Sequence, residues 1–282
     1  MIDPSEMERR YEVLDKTLES WCQGDFVIGP LSFIVRFEPD ISVWLGDRDD
    51  VADSDVYEDE VEGLVLLTQT CDVVRKSKDR PYVEVGPLVR ARDEAFLQSI
   101  MRGSSPRYAY VPGAAPRMLV ADLDRVMTVE KSLLMKWTRE TGCPTDQDHR
   151  YFAEALARKR ARFAFPDDFV SMVEGLRGRI TQKHAKESPE GTCLRMLREI
   201  RVAALPRWDA TPVSLLFWFI VAEGESPADE DLRRQCKAWM DYVRPSGRFS
   251  SFDSDVVGLD DISAREYLNS DRLDLDHLSR LL

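Results

Sequence analysis

A chain of 282 residues with a formal net charge of -12 and a pI of about 4.9 is long enough for one large domain or two small ones. It is also too acidic to coat nucleic acid with its whole surface. Hydrophobic residues at 43% and charged residues at 32% describe a globular chain. The segment Met1 to Arg10 is charged and lacks the apolar core of a signal peptide, and the longest apolar run, Val213 to Ala222, is too short to cross a bilayer, so a cytoplasmic protein with no membrane partner is expected.

The five cysteines, Cys22, Cys71, Cys143, Cys193 and Cys236, are scattered, and no Cys-x-x-Cys spacing exists. Reduced thiols are expected rather than a disulfide framework or a zinc site. The C-terminal unit, 205–282, has no Gly-rich phosphate loop and no nucleophile elbow, and neither metal nor cofactor is expected for the chain.

In chain order, Met7, Tyr11, Leu14 and Leu18 recur at helical spacing and predict a helix over Pro4–Cys22. Strand character follows over Leu31–Phe37. The acidic stretch Asp47–Glu62 lacks the glycine and spacing of a calcium loop and reads as solvated. Leu64–Leu67 reads as a buried strand, and Pro81–Pro87 as its hairpin partner. A short helix is predicted at Asp93–Met101, and two short strands around Asp122–Asp124.

From Glu130 the pattern turns helical, with helices expected at Glu130–Arg139, Asp146–Phe163, Asp167–His184 and Pro189–Ile200. Thr145, Asp146, Asp167 and Ser188 are the candidate N-caps. This middle third is locally basic, and Arg158, Arg160 and Arg162 are candidate phosphate-binding residues. After Pro206–Pro212 come a strand at Val213–Val221, a helix at Ala228–Val243 and a strand at Gly247–Phe252, a β-α-β unit followed by a Leu-bearing tail.

The densest chemistry lies where the Leu64–Leu67 strand ends. Thr68, Gln69, Thr70, Cys71 and Asp72 place two hydroxyls, an amide, a thiol and a carboxylate on adjacent residues, followed by Arg75 and Lys76. Loops at strand ends are where catalytic and binding groups concentrate. Gln69, Thr70, Cys71, Asp72 and Arg75 are the candidate catalytic residues; Thr68, Lys76 and Arg125 are candidate binding residues. The plainer alternative is a capped strand end with Cys71 as filler.

Several segments fall into a familiar order. Trp21-Cys-Gln-Gly-Asp-Phe-Val27, Gly63-Leu-Val-Leu-Leu-Thr68, Tyr82-Val-Glu-Val-Gly-Pro-Leu88 and the element Leu119 to Leu134 occur in sequence, and Gly142-Cys-Pro-Thr-Asp146 follows them. Together they resemble the MazF/PemK-like toxins over roughly residues 20 to 165. The resemblance implies an α+β fold built on an SH3-like small β-barrel. A helical segment and the C-terminal β-α-β unit would follow, with divisions at 1–140, 141–204 and 205–282. It further implies an endoribonuclease of toxin or phage-defence type, RNA as substrate, an antitoxin or defence protein as partner, and a homodimer.

Glu62-Gly63 stands where that family carries its active-site Arg, and Leu88-Val89 where it carries its Thr. RNA cleavage needs a base for the 2′-hydroxyl and a cation for the phosphorane. Chemistry would then have to be rebuilt from Gln69, Thr70, Cys71 and Asp72, with Asp72 as base and Arg75, Lys76 or Arg125 as cation. The alternative is a non-catalytic interaction module that keeps the barrel, so whether the chain is an enzyme stays open.

Overall fold

A computed structural model describes residues 4–35, 57–103, 105–161, 163–184 and 186–273. The chain divides into two units, Met1–Met101 with Ser105–Lys159, and Arg102–Ser104 with Arg160–Leu282. Most of the acidic stretch, the segment beyond Val35, Arg162 and the tail from 274 onward lie outside the described residues.

The first unit opens on helix α1 (Pro4–Leu18). Strands β1 (Phe26–Val35), β2 (Tyr57–Leu66), β3 (Tyr82–Arg90), β4 (Tyr108–Ala109) and β5 (Leu119–Asp122) form an open sheet in the order β1-β2-β3-β5-β4, and β6 (Met127–Glu130) also pairs with β3. The four-residue helix α2 (Thr70–Val73) and helix α3 (Glu94–Met101) interrupt the strands, and α4 (Asp146–Arg160) follows them.

Alternation of side chains explains the unbroken apolar run in β2. Leu64 and Leu66 pack with Leu14, Leu18 and Trp21 on one face, while Val65 and Leu67 pack with Phe26 and Phe152 on the other. A strand covered on both faces has no reason to alternate apolar with polar. Gly63 is required where β1 and β2 close up: a Cβ there would lie 2.2 Å from the Val27 carbonyl oxygen.

The SH3-like barrel does not form. β1 pairs with β2 alone and β4 with β5 alone, so among the described residues the sheet has two ends that never meet. Among the described residues the free edge of β1 gains only an isolated bridge from Phe26 to Glu140. With β4 reduced to Tyr108–Ala109, the edge carries too few backbone groups to continue the ladder into closure. The α+β class is right; the barrel within it is wrong.

The second unit carries α5 (Asp167–Lys183), α6 (Pro189–Arg195), β7 (Leu197–Leu205), β8 (Val213–Val221), α7 (Glu230–Met240), β9 (Phe249–Val257), α8 (Ala264–Leu268) and β10 (Asp271–Arg272). Its sheet runs β10-β7-β8-β9. β8 and β9 are parallel and joined by α7, while β7 and β8 are antiparallel. One sheet face and the apolar sides of α5, α6 and α7 enclose a core centred on Phe169, Leu176, Phe217, Phe219 and Trp239.

The helix expected through Ile200 ends at Arg195, and the chain continues as β7. A register shift between Leu197 and Glu199 puts Leu197, Ile200 and Val202 in the core. That bulge inserts an extra residue, and the broken two-residue period imitates helical spacing. α6 and α7 start on side-chain caps: Ser188 accepts from the Gly191 N–H at 3.1 Å, and Asp229 from the Leu232 N–H at 2.8 Å.

Candidate functional site

The α2 turn follows directly on β2, and most of its polar atoms hold backbone in place. The Thr68 hydroxyl accepts from the Glu84 N–H at 2.7 Å, tying the strand end to β3. The Thr70 hydroxyl accepts from the Gln23 N–H at 2.9 Å, and the Gln23 amide donates to the Leu67 carbonyl at 2.8 Å. Asp72 pairs with Arg75 at 3.2 Å on the surface. Cys71 is exposed, with its Sγ 3.7 Å from Gln69 Oε1. Lys76 is exposed.

Beneath this turn sits Lys131, far from the cluster in sequence. It is fully buried, yet its ammonium donates to the carbonyls of Asp72 at 3.0 Å and Arg75 at 2.8 Å. Burial pushes its pKa down, while the carboxylates of Asp15 and Asp72 work the other way. The sequence held one signal: Lys131 stands between the buried Val129 and Leu134.

Arg125 lies on the turn between β5 and β6, where its Nε donates to the buried Asp122 at 3.0 Å. Arg107 reaches the same carboxylate at 3.2 Å and Asp124 at 3.4 Å, and Lys159 also pairs with Asp124. Burial opposes the charge of Asp122, but the bonds from Arg107, the Asp124 N–H and Arg125 hold its carboxyl below the usual range. The β2 end and this turn approach one another at Gly86, where a Cβ would lie 3.2 Å from Leu67 Cδ1 and 3.5 Å from the Arg125 carbonyl oxygen. Arg158 is half-buried and Arg160 exposed at the end of α4, on either side of the engaged Lys159. Arg162 is outside the described residues.

The second unit contains a cleft of about 370 Å³, lined from α5 by Gly175 and Arg179, from α6 by Glu190, and from α7 and the residues after it by Gln235, Ala238, Asp241, Tyr242 and Arg244. One wall is fixed. Arg179 grips Glu190 through two bonds at 2.7 and 2.6 Å, and the Trp239 indole N–H donates to the same carboxylate at 2.9 Å. Burial works against the Glu190 charge, and the Arg179 and Trp239 bonds outweigh it, keeping the carboxyl below its usual range.

The other side of the cleft is uncommitted. Among the described residues, the side chains of Gln235, Asp241 and Arg244 make no hydrogen bond or ion pair. An amide, a carboxylate and a guanidinium thus face one cleft without partners among the described residues.

No family model, curated protein or solved structure matches the chain. With the barrel also missing, the resemblance to the MazF/PemK-like toxins falls, and with it the toxin, defence and endoribonuclease readings and the barrel-based interaction module. The fold and site define a two-unit α+β chain with a helix-lined polar cleft. No helix among the described residues is long and apolar enough to cross a membrane, and none of their His, Cys, Asp or Glu residues cluster as a metal site would require.

Proposed function

We propose that the chain is a binding protein for a small charged ligand, held in the cleft between α5 and α7. One observation carries this reading. A cleft with one wall locked by the Arg179–Glu190–Trp239 bonds presents Gln235, Asp241 and Arg244, whose side chains have no hydrogen-bond or ion-pair partner among the described residues. Small-molecule sites are clefts of roughly 300–1,000 Å³ with a few convergent polar groups, and this one falls at the lower end.

Nothing in the lining suggests turnover. The carboxylate with a perturbed pKa, Glu190, is occupied by two donors, and no nucleophile stands beside a base. Binding fits the arrangement better than catalysis.

The test is a thermal-shift screen of small amino acids, dicarboxylates, nucleotides and polyamines. A ligand present at 100 times its Kd stabilises the fold by about 2.7 kcal/mol. The expected outcome is a stabilising compound whose effect disappears in Ala238→Phe, a substitution that fills the cleft from an exposed helix position. A screen in which every shift survives that substitution would sink the proposal.

A further inference from the structure

The cleft lining also points to a class of ligand, and this step rests on the reading of the cleft as a ligand site. We infer that the cleft takes a mononucleotide, its base stacked on Tyr242, its polar edge read by Gln235 and Asp241, and its phosphate held by Arg244.

The placement follows from helix geometry. Gln235 and Ala238 share one face of α7, and Tyr242 continues that face just past the helix end. Gly175 lets α5 approach closely, since a Cβ there would lie 2.8 Å from the Tyr242 carbonyl oxygen. Tyr242 is 39% exposed, and the Arg179 guanidinium lies 5.6 Å from its ring centroid. Because Glu190 holds Arg179, the ring is flanked by a fixed cation, while the residue as a whole stays exposed. Aromatic rings of this kind are the platforms on which bases stack.

The polar complement follows. A carboxylate such as Asp241 only accepts hydrogen bonds, and an amide such as Gln235 both donates and accepts. A heterocycle with adjacent N–H groups beside a carbonyl, as on the edge of guanine, satisfies both. Arg179 is neutralised by Glu190, which leaves Arg244 as the uncommitted cation of the lining. Its planar fork matches phosphate oxygens. At about 370 Å³ the cleft has room for one nucleotide rather than a strand. A zwitterionic amino acid would satisfy Asp241 and Arg244 but leave the Tyr242 ring unused.

Isothermal titration of the full chain at low salt tests this with guanosine 5′-monophosphate, adenosine 5′-monophosphate, guanosine, inorganic phosphate and glutamate. The expected result is binding of guanosine 5′-monophosphate that Arg244→Ala weakens about tenfold or more, with guanosine affected far less. Tyr242→Leu should weaken nucleotide and nucleoside alike, by about tenfold. Asp241→Asn should narrow the preference for the guanine over the adenine nucleotide. All three positions are exposed, and unchanged circular dichroism confirms that the variants fold.

If glutamate binds in an Arg244-dependent manner and no nucleotide does, the nucleotide class is wrong while the cleft remains a ligand site. If nucleotides bind equally well to Arg244→Ala and Tyr242→Leu, they bind elsewhere and the inference fails. If no compound binds here and the wider screen yields no Ala238-sensitive ligand, both readings fail.

Discussion

Replacing Lys131 by methionine separates what its charge does from what its stem does. The stem fills apolar space, and methionine fills it nearly as well. Among the described residues the ammonium is the hydrogen-bond donor to the carbonyls of Asp72 and Arg75, and no backbone N–H is bonded to either. Without it, each carbonyl that loses its partner in the interior costs about 1–3 kcal/mol. The relief of an ammonium buried at 0% exposure, worth several kcal/mol, offsets this in the global balance. The α2 turn has a cheaper response than unfolding the unit, which is to swing its carbonyls out to water.

Local opening should therefore become easier by about 2–4 kcal/mol, or roughly 30- to 1,000-fold more frequent, while global stability falls by much less. Limited trypsin digestion reads this directly, because Arg75, Lys76 and Lys78 are cleavage sites within the turn and just after it. The expected result is faster cleavage there in Lys131→Met, with a nearly unchanged urea midpoint. Equal cleavage rates in the two proteins would show that the Lys131 bonds do not hold the turn, and the reasoning would be refuted. The pH dependence supplies a second reading. Burial holds the folded-state pKa of Lys131 below its ordinary value, so its proton is lost earlier in the fold than in the unfolded chain. Wild type should gain stability relative to Lys131→Met as pH rises from that lowered pKa toward the unfolded value of about 10.4.

Asp25 is 1% exposed and accepts from the Cys22 N–H at 2.8 Å, Arg139 at 2.8 Å and the Gly142 N–H at 3.3 Å. Asp25→Ala should cost about 2–4 kcal/mol in urea unfolding, through the two orphaned N–H groups; a cost below ~0.5 kcal/mol would show that water replaces the carboxylate. Thiol labelling at pH 8 should modify Cys71 first, while Cys143, Cys193 and Cys236 wait for unfolding, since burial raises all three and holds Cys143 at about 12. Rapid labelling of all five in native buffer would contradict the packing described. The Asp122 carboxyl is depressed by its Arg107 and Arg125 bonds, so its stabilisation is present above about pH 4 and lost as pH falls through the folded value. Asp122→Asn should flatten the acid limb of the stability profile, and an unchanged limb would remove Asp122 from its causes.

Much of the fold is written in local pattern. The apolar run Leu64–Leu67, the short strands about Asp122–Asp124 and the β-α-β succession from Val213 all form where strand and helix periods place them. Ser188 is the cap its residue type suggests, because capping is a contact between near neighbours. β7 was hidden because the bulge at Leu197–Glu199 broke its period. The barrel was a matter of which edges meet, and no run of residues encodes the closure of a sheet.

The sites divide in the same way. Thr68 to Arg75 announced themselves by adjacency, but only the fold shows that Thr68 and Thr70 anchor backbone and that Lys131 braces the turn from below. The cleft was invisible in the sequence: Gly175, Glu190 and Arg244 are far apart along the chain, and Arg179 reads there as one more charge in a basic helix. By itself the sequence determined most of the elements and the hydrophobic faces they must bury, since those depend on spacing within a few turns of chain. Tertiary structure alone decided which charges would be spent on each other, as Arg179 is on Glu190, and which, like Asp241 and Arg244, would be left facing a cleft. Coulomb and hydrogen-bond interactions act across space, and only packing sets those distances.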